Sequence, residues 1–126
     1  MREIVLDTET TGLNPRTGDR LVEIGCVELD NHVPTGNSYH QYVNPERDMP
    51  DEAFAVHGLS EEFLANYPIF SEVADGFLQF IGDADLVIHN AGFDMGFIVS
   101  IGGVRSTKFS VPNSHSYKEP TFTGLG

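Results

Sequence analysis

Ile4-Val5-Leu6-Asp7-Thr8-Glu9-Thr10-Thr11-Gly12 is the stretch on which the reading of this chain turns. The apolar run at residues 4–6 predicts a buried strand, and the Thr-Thr-Gly sequence closes it in a turn. Side chains at i and i+2 of an extended segment point to the same face of a sheet, so Asp7 and Glu9 converge. Two like charges held that close repel, and either one carboxyl is protonated or a cation lies between them. A hard, oxygen-liganded ion such as Mg2+ or Mn2+ suits the pair. The plainer reading of an isolated Asp-x-Glu is a polar strand end with two solvated acids, and the surroundings have to decide.

Those surroundings include Ala84-Asp85-Leu86-Val87-Ile88-His89-Asn90-Ala91-Gly92-Phe93-Asp94. Leu86-Val87-Ile88 predicts a second buried strand over 85–89. Asn90 follows as an N-cap, and Phe93, Phe97, Ile98 and Ile101 then fall on the buried face of a helix. Asp94 belongs to its first turn, near the carboxyl end of the strand, where ligands collect in open α/β sheets.

Asp7-Thr8-Glu9-Thr10-Thr11-Gly12, with Val87-Ile88-His89-Asn90 and Phe93-Asp94, resembles the first two motifs of the DEDD 3′–5′ exonucleases. Within them the chain is most similar to the epsilon proofreading subunits of bacterial DNA polymerase III. Glu52-Ala53-Phe54-Ala55-Val56-His57-Gly58-Leu59 resembles the family segment whose Glu and His contact the terminal nucleotide. The likeness runs from about Arg2 to Ile101. It implies a ribonuclease H-like α/β fold: a mixed sheet of three antiparallel strands plus a parallel strand, with flanking helices, that gathers Asp7, Glu9 and Asp94 in one cleft. The function implied is a metal-dependent 3′–5′ exonuclease that removes nucleotides from DNA 3′ ends and proofreads in replication; an exoribonuclease of the same superfamily is the sibling reading. The resemblance implies two Mg2+ or Mn2+ ions per site. Asp7, Glu9 and Asp94 would be catalytic, Asp7 and Glu9 as metal ligands and Asp94 chiefly through water or the second ion. Asp7, Glu9, Glu52 and His57 would touch substrate. The implied partners are a single-stranded or frayed DNA 3′ end and the polymerase III core subunits.

At 126 residues the chain is one domain at most. It has no apolar run of membrane-spanning length, and its opening residues lack a signal-peptide pattern, so no membrane association and a cytoplasmic home are expected. Cys26 is alone, and in Leu21-Val22-Glu23-Ile24-Gly25-Cys26-Val27-Glu28-Leu29 it reads as a small buried strand residue. The net charge of −12 argues against broad electrostatic binding of nucleic acid. An enzyme that grips only the last nucleotides remains compatible with it, because metal ions supply the positive charge.

The remaining elements follow from pattern. Residues 14–19 read as a loop, and 20–30 as a long strand with Ile24, Cys26 and Val22 inward. Residues 31–37 read as a hairpin connection and 38–43 as a third strand, which makes an antiparallel meander. Two prolines make 44–50 a loop. Asp51 to His57 reads as a short helical turn ending at Gly58; His57 taken alone could equally be a satisfied loop histidine. Ser60 caps a brief helix that must end before Pro68, and Ser71-Glu72 opens the next, whose stripe Val73, Phe77, Phe80, Ile81 faces a core.

Near residue 102 the pattern changes. Residues 1–101 carry four basic and 18 acidic side chains, whereas 102–126 carry three basic and one acidic and are rich in Ser, Thr, Gly and Pro. The expected division is 1–101 as the N-terminal part of an exonuclease domain and 102–126 as an unrelated or disordered tail, as if the coding region were truncated or frame-shifted. The family's third motif is a His followed five residues later by Asp, but His115 is followed by Pro120, and His115 with Glu119 has the wrong spacing. Segments for polymerase or clamp contact are not recognisable in 102–126. The alternative to an exonuclease is therefore an inactive truncated remnant, or a non-enzymatic binding module, that retains half a metal site. Apolar surface left uncovered would favour self-association.

Overall fold

A computed structural model describes residues 1–14 and 17–88, and the backbone of 109–110. The expectations for His89 to Ile101, among them Asp94, the Asn90 cap and the Phe93 stripe, lie outside the described residues, as do those for His115 and Glu119.

The stretch around Asp7 forms β1 (Arg2–Thr10), which pairs antiparallel with β2 (Leu21–Asp30) and parallel with β4 (Asp85–Ile88). β3 (Val33–Tyr42) continues the meander on β2, and β5 (Phe109–Ser110) lies parallel to β4. The order is β3-β2-β1-β4-β5, so three antiparallel strands and the parallel β4 stand as the sequence implies. No pattern in residues 102–126 had predicted β5. β1 lies between neighbours and is buried on both faces, which is why its run is continuously apolar instead of alternating. Ile4 and Leu6 join a main cluster with Ile24, Cys26, Leu86 and Ile88, while Val5 packs with Leu29 and Val87 on the other face.

The crossover from β3 to β4 passes through α1 (Asp51–His57), α2 (Glu61–Leu64) and α3 (Phe70–Ile81). Gly58 ends α1 with φ 71°, in the left-handed region, and its N–H bonds the Phe54 carbonyl at 2.7 Å. The Ser60 hydroxyl caps α2 by accepting from the Phe63 N–H at 3.1 Å. On α3, Val73, Phe77 and Ile81 are buried in the main cluster and Phe80 packs partly against it.

Two boundaries differ from the pattern. α3 starts at Phe70 with Ile69 as its N-cap, not at Ser71-Glu72. A parallel bridge between Asn44 and Ile69, with the Asn44 N–H on the Pro68 carbonyl at 2.8 Å, holds the entry extended and fixes where winding begins. The hairpin connection is only Asn31-His32, both with positive φ, as in a type I′ turn, so β3 starts at Val33. Thr35 to Asn37 bulge out opposite Glu28, whose Oε1 accepts from the Thr35 hydroxyl at 2.7 Å and from Asn37 Nδ2 at 3.0 Å. Pro34 is tolerated because β3 is an edge strand.

Candidate active site

Leu6 pairs with Ile88, the last described residue of β4, and β1 continues through Asp7 and Glu9. Both occupy regular ladder positions, opposite Gly25 and Glu23 respectively, which puts them on one face, away from α3. The pairing shifts only after Glu9, where the strand gives way to the turn. Asp7 Oδ1 accepts from the Thr8 N–H at 3.0 Å.

A cleft of about 510 Å³ opens at this end of β1. Its first wall is Thr8 to Leu13 with Asp19, and its second is Pro50, Glu52, Ala53, Val56 and His57 of α1 and its approach. Glu9, Glu52 and His57 thus meet in one cavity across more than forty residues of sequence. Asp7 lies two positions back on the same strand face and is not among the lining residues. Two carboxylates on one strand face suit a hard divalent cation. Among the described residues no three His, Cys, Asp or Glu side chains cluster closely enough to hold a metal.

His57 ties the walls together. Its Nδ1 accepts from the Leu59 N–H at 3.0 Å, so that nitrogen is unprotonated and Nε2–H donates to the Thr10 carbonyl at 3.1 Å. The ring is therefore neutral. Burial holds its pKa below the ordinary 6.5, against the opposing pull of the Thr10 carbonyl and the Glu23 charge. With both nitrogens engaged, His57 offers a ligand its ring, not a free base.

Sequence reading passed over three side chains. Glu23 stands directly opposite Glu9 on the same face, where like charges are unfavourable. His40 Nε2 lies 2.6 Å from its Oε2 and gives that carboxylate a hydrogen-bond partner. The signal was available: in a meander with a central Asp-x-Glu strand, an acid on the partner strand needs a counter-group. Asp19 belongs to what read as a plain loop, yet its carboxylate accepts from the Thr11 hydroxyl at 3.1 Å, the Asn14 N–H at 3.0 Å and Arg47 at 3.0 Å. Gly12 is packed so closely on that carboxylate that a Cβ there would collide with it. Cys26 is fully buried, and burial pushes its thiol pKa far up, in keeping with a packing role.

The Exonuclease (RNase_T) family matches residues 4–101. DNA polymerase III subunit epsilon of Rickettsia conorii is 59% identical over 98 residues, covering 78% of this chain and 43% of the relative. The chain thus spans less than half the length of that relative. Among solved structures, exonuclease X in complex with 5′-overhanging duplex DNA is 29% identical with a TM-score of 0.63, over 75% of this chain and 52% of that one. The nuclease domain of 3′hExo, a DEDDh family member bound to rAMP, shares the fold at 17% identity and a TM-score of 0.67, over 82% of this chain and 60% of that one. Among the described residues no helix is long and apolar enough to cross a membrane.

Proposed function

The chain belongs to the Exonuclease family, and on that premise we propose that its domain is the substrate-gripping part of a metal-dependent 3′–5′ exonuclease that removes nucleotides from DNA 3′ ends during replicative proofreading. The observation that carries this reading is the cleft that brings Glu9 of β1 together with Glu52 and His57 of α1. Its volume suits one nucleotide better than a duplex. The relatives named as polymerase III epsilon subunits and the DNA-bound exonuclease X support a DNA 3′ end as substrate, polymerase III core subunits as partners and a cytoplasmic site of action.

In this reading Asp7 and Glu9 hold a divalent cation, Mg2+ or Mn2+. Such an ion supplies positive charge to the scissile phosphodiester, which an acidic chain otherwise lacks. Glu52 and His57 contact the terminal nucleotide from the second wall, His57 through its ring. Asp94 adds a third carboxylate from the segment after β4. The general base and the last carboxylate have no counterpart in residues 102–126, where His115 precedes Pro120. Positioned general-base catalysis is worth roughly 10²–10⁴-fold, so the 126-residue chain is expected to bind the ion and cut slowly.

The test is a calorimetric Mn2+ titration of the chain and of Asp7→Ala, with digestion of single-stranded DNA followed in parallel. Binding by the parent, loss in the variant and slow release of 3′ nucleotides are the expected results. Brisk, EDTA-sensitive release would mean that residues 102–126 supply the third motif after all. No Mn2+ binding by the parent chain would overturn the reading.

A further inference from the structure

The two walls of the cleft are joined at a second point that the catalytic reading does not use. Arg47, in the loop between β3 and α1, donates from Nη1 to Asp19 Oδ1 at 3.0 Å and to the Gly18 carbonyl at 3.1 Å. Its Nε donates to the Asp48 carbonyl at 3.1 Å, which orients the guanidinium. The Thr11 hydroxyl also donates to Asp19 Oδ1 and the Asn14 N–H to Oδ2, and the carboxylate packs under Gly12. The side chains of Arg47 and Asp19 are 27% and 17% exposed, so solvent screens this pair less than an open surface pair, and its hydrogen bonds are charge-assisted. His57 ties the same walls through the Thr10 carbonyl.

We propose that Arg47 and Asp19 are positioning residues, a clasp that sets the spacing between the Thr10-to-Leu13 wall and the α1 wall, so that the cleft meets a nucleotide already shaped. The nature of the ligand rests on the nuclease reading; the clasp rests on the hydrogen bonds. Pre-set walls spare a ligand the cost of ordering them, so loss of the clasp weakens nucleotide binding. Asp7 and Glu9 are held by the β1 ladder and keep their arrangement without it. Arg47→Met retains the aliphatic stem and removes the donors, whereas Arg47→Lys keeps the charge but loses the Nε donation to the Asp48 carbonyl that orients the head group.

Three readouts on the full chain decide it: Mn2+ affinity, affinity for thymidine 5′-monophosphate in the presence of Mn2+, and hydrogen exchange at the Thr11 amide of the first wall and the Leu59 amide, which donates to His57 of the second. Arg47→Met is expected to weaken nucleotide binding about tenfold, within the usual range for coupled sites. It should leave Mn2+ affinity unchanged and speed exchange at both amides, with Arg47→Lys intermediate. Unchanged nucleotide affinity, or faster exchange at Thr11 alone, would reduce the pair to a pin of its own loop and overturn the clasp. A joint fall in Mn2+ and nucleotide affinity would overturn it too, as general loosening. A parent chain that binds Mn2+ but no nucleotide removes the nuclease reading instead, and the exchange arm then decides the clasp by itself.

Discussion

His57 shows how much of a residue's chemistry is set by what surrounds it. A histidine one residue before a glycine has no assigned tautomer in the sequence. In the folded chain the Leu59 N–H and the Thr10 carbonyl select the neutral Nε2–H form. Protonating Nδ1 would set one donor against another, and burial disfavours the charge as well. The folded pKa lies below the unfolded one, so the unfolded chain takes up the proton first as pH falls. This contribution to stability is complete above about pH 6.5 and is lost as the pH drops toward the lowered folded value. Unfolding by urea at a series of pH values should therefore show a midpoint that declines below neutrality in the parent chain and declines less in His57→Gln. An equal decline in both would mean that His57 is not held neutral.

At the scale of elements, the end of α3 is fastened by a side chain from the start of β1. Arg2 donates to the Ile81 carbonyl at 2.7 Å and the Phe80 carbonyl at 2.5 Å, lies over the Phe80 ring, and pairs with Glu28. A cation there satisfies helix-terminal carbonyls and meets the negative end of the helix dipole. The Arg2 bond, helped by Thr35 and Asn37, lowers the Glu28 pKa to about 2. Hydrogen bonds to charged groups are worth roughly 1.5–3 kcal/mol each, so Arg2→Met should cost about 2 kcal/mol after partial replacement by water. Chemical denaturation would register it, together with faster exchange at the Gly82 amide that closes the helix on Leu78. Sequence periodicity found α3 itself, because an apolar stripe at helical spacing is a local pattern. Its first residue was set by the Asn44–Ile69 bridge, which is not.

For the whole molecule, the larger cluster among the described residues lies on the α3 face of the sheet and includes Phe77, with Tyr39 against it at a ring separation of 5.9 Å. Phe77 is fully buried. Truncating such a residue costs about 3–5 kcal/mol, a large share of what holds a domain of this size together. Phe77→Ala should therefore lower the unfolding midpoint sharply, and a shift no larger than that of a surface substitution would place the core elsewhere. The site depends on this packing only indirectly: Asp7 and Glu9 lie on the opposite face, held by the ladder between β1 and β2.

What the sequence determined by itself was local or repeated in pattern. It carried the central strand with its paired acids, the meander and the returning strand, the helices and the Ser60 cap, and the motifs that mark the family, because each is written in the spacing of neighbouring residues. Only the tertiary structure decided which distant side chains meet. Glu23 became the neighbour of Glu9 through strand register, and Asp19 the partner of Arg47 through loop packing. His57 took its tautomer from a carbonyl 47 residues away. Register and loop packing are settled by the summed burial and hydrogen bonding of the whole fold, so no local window of sequence contains them.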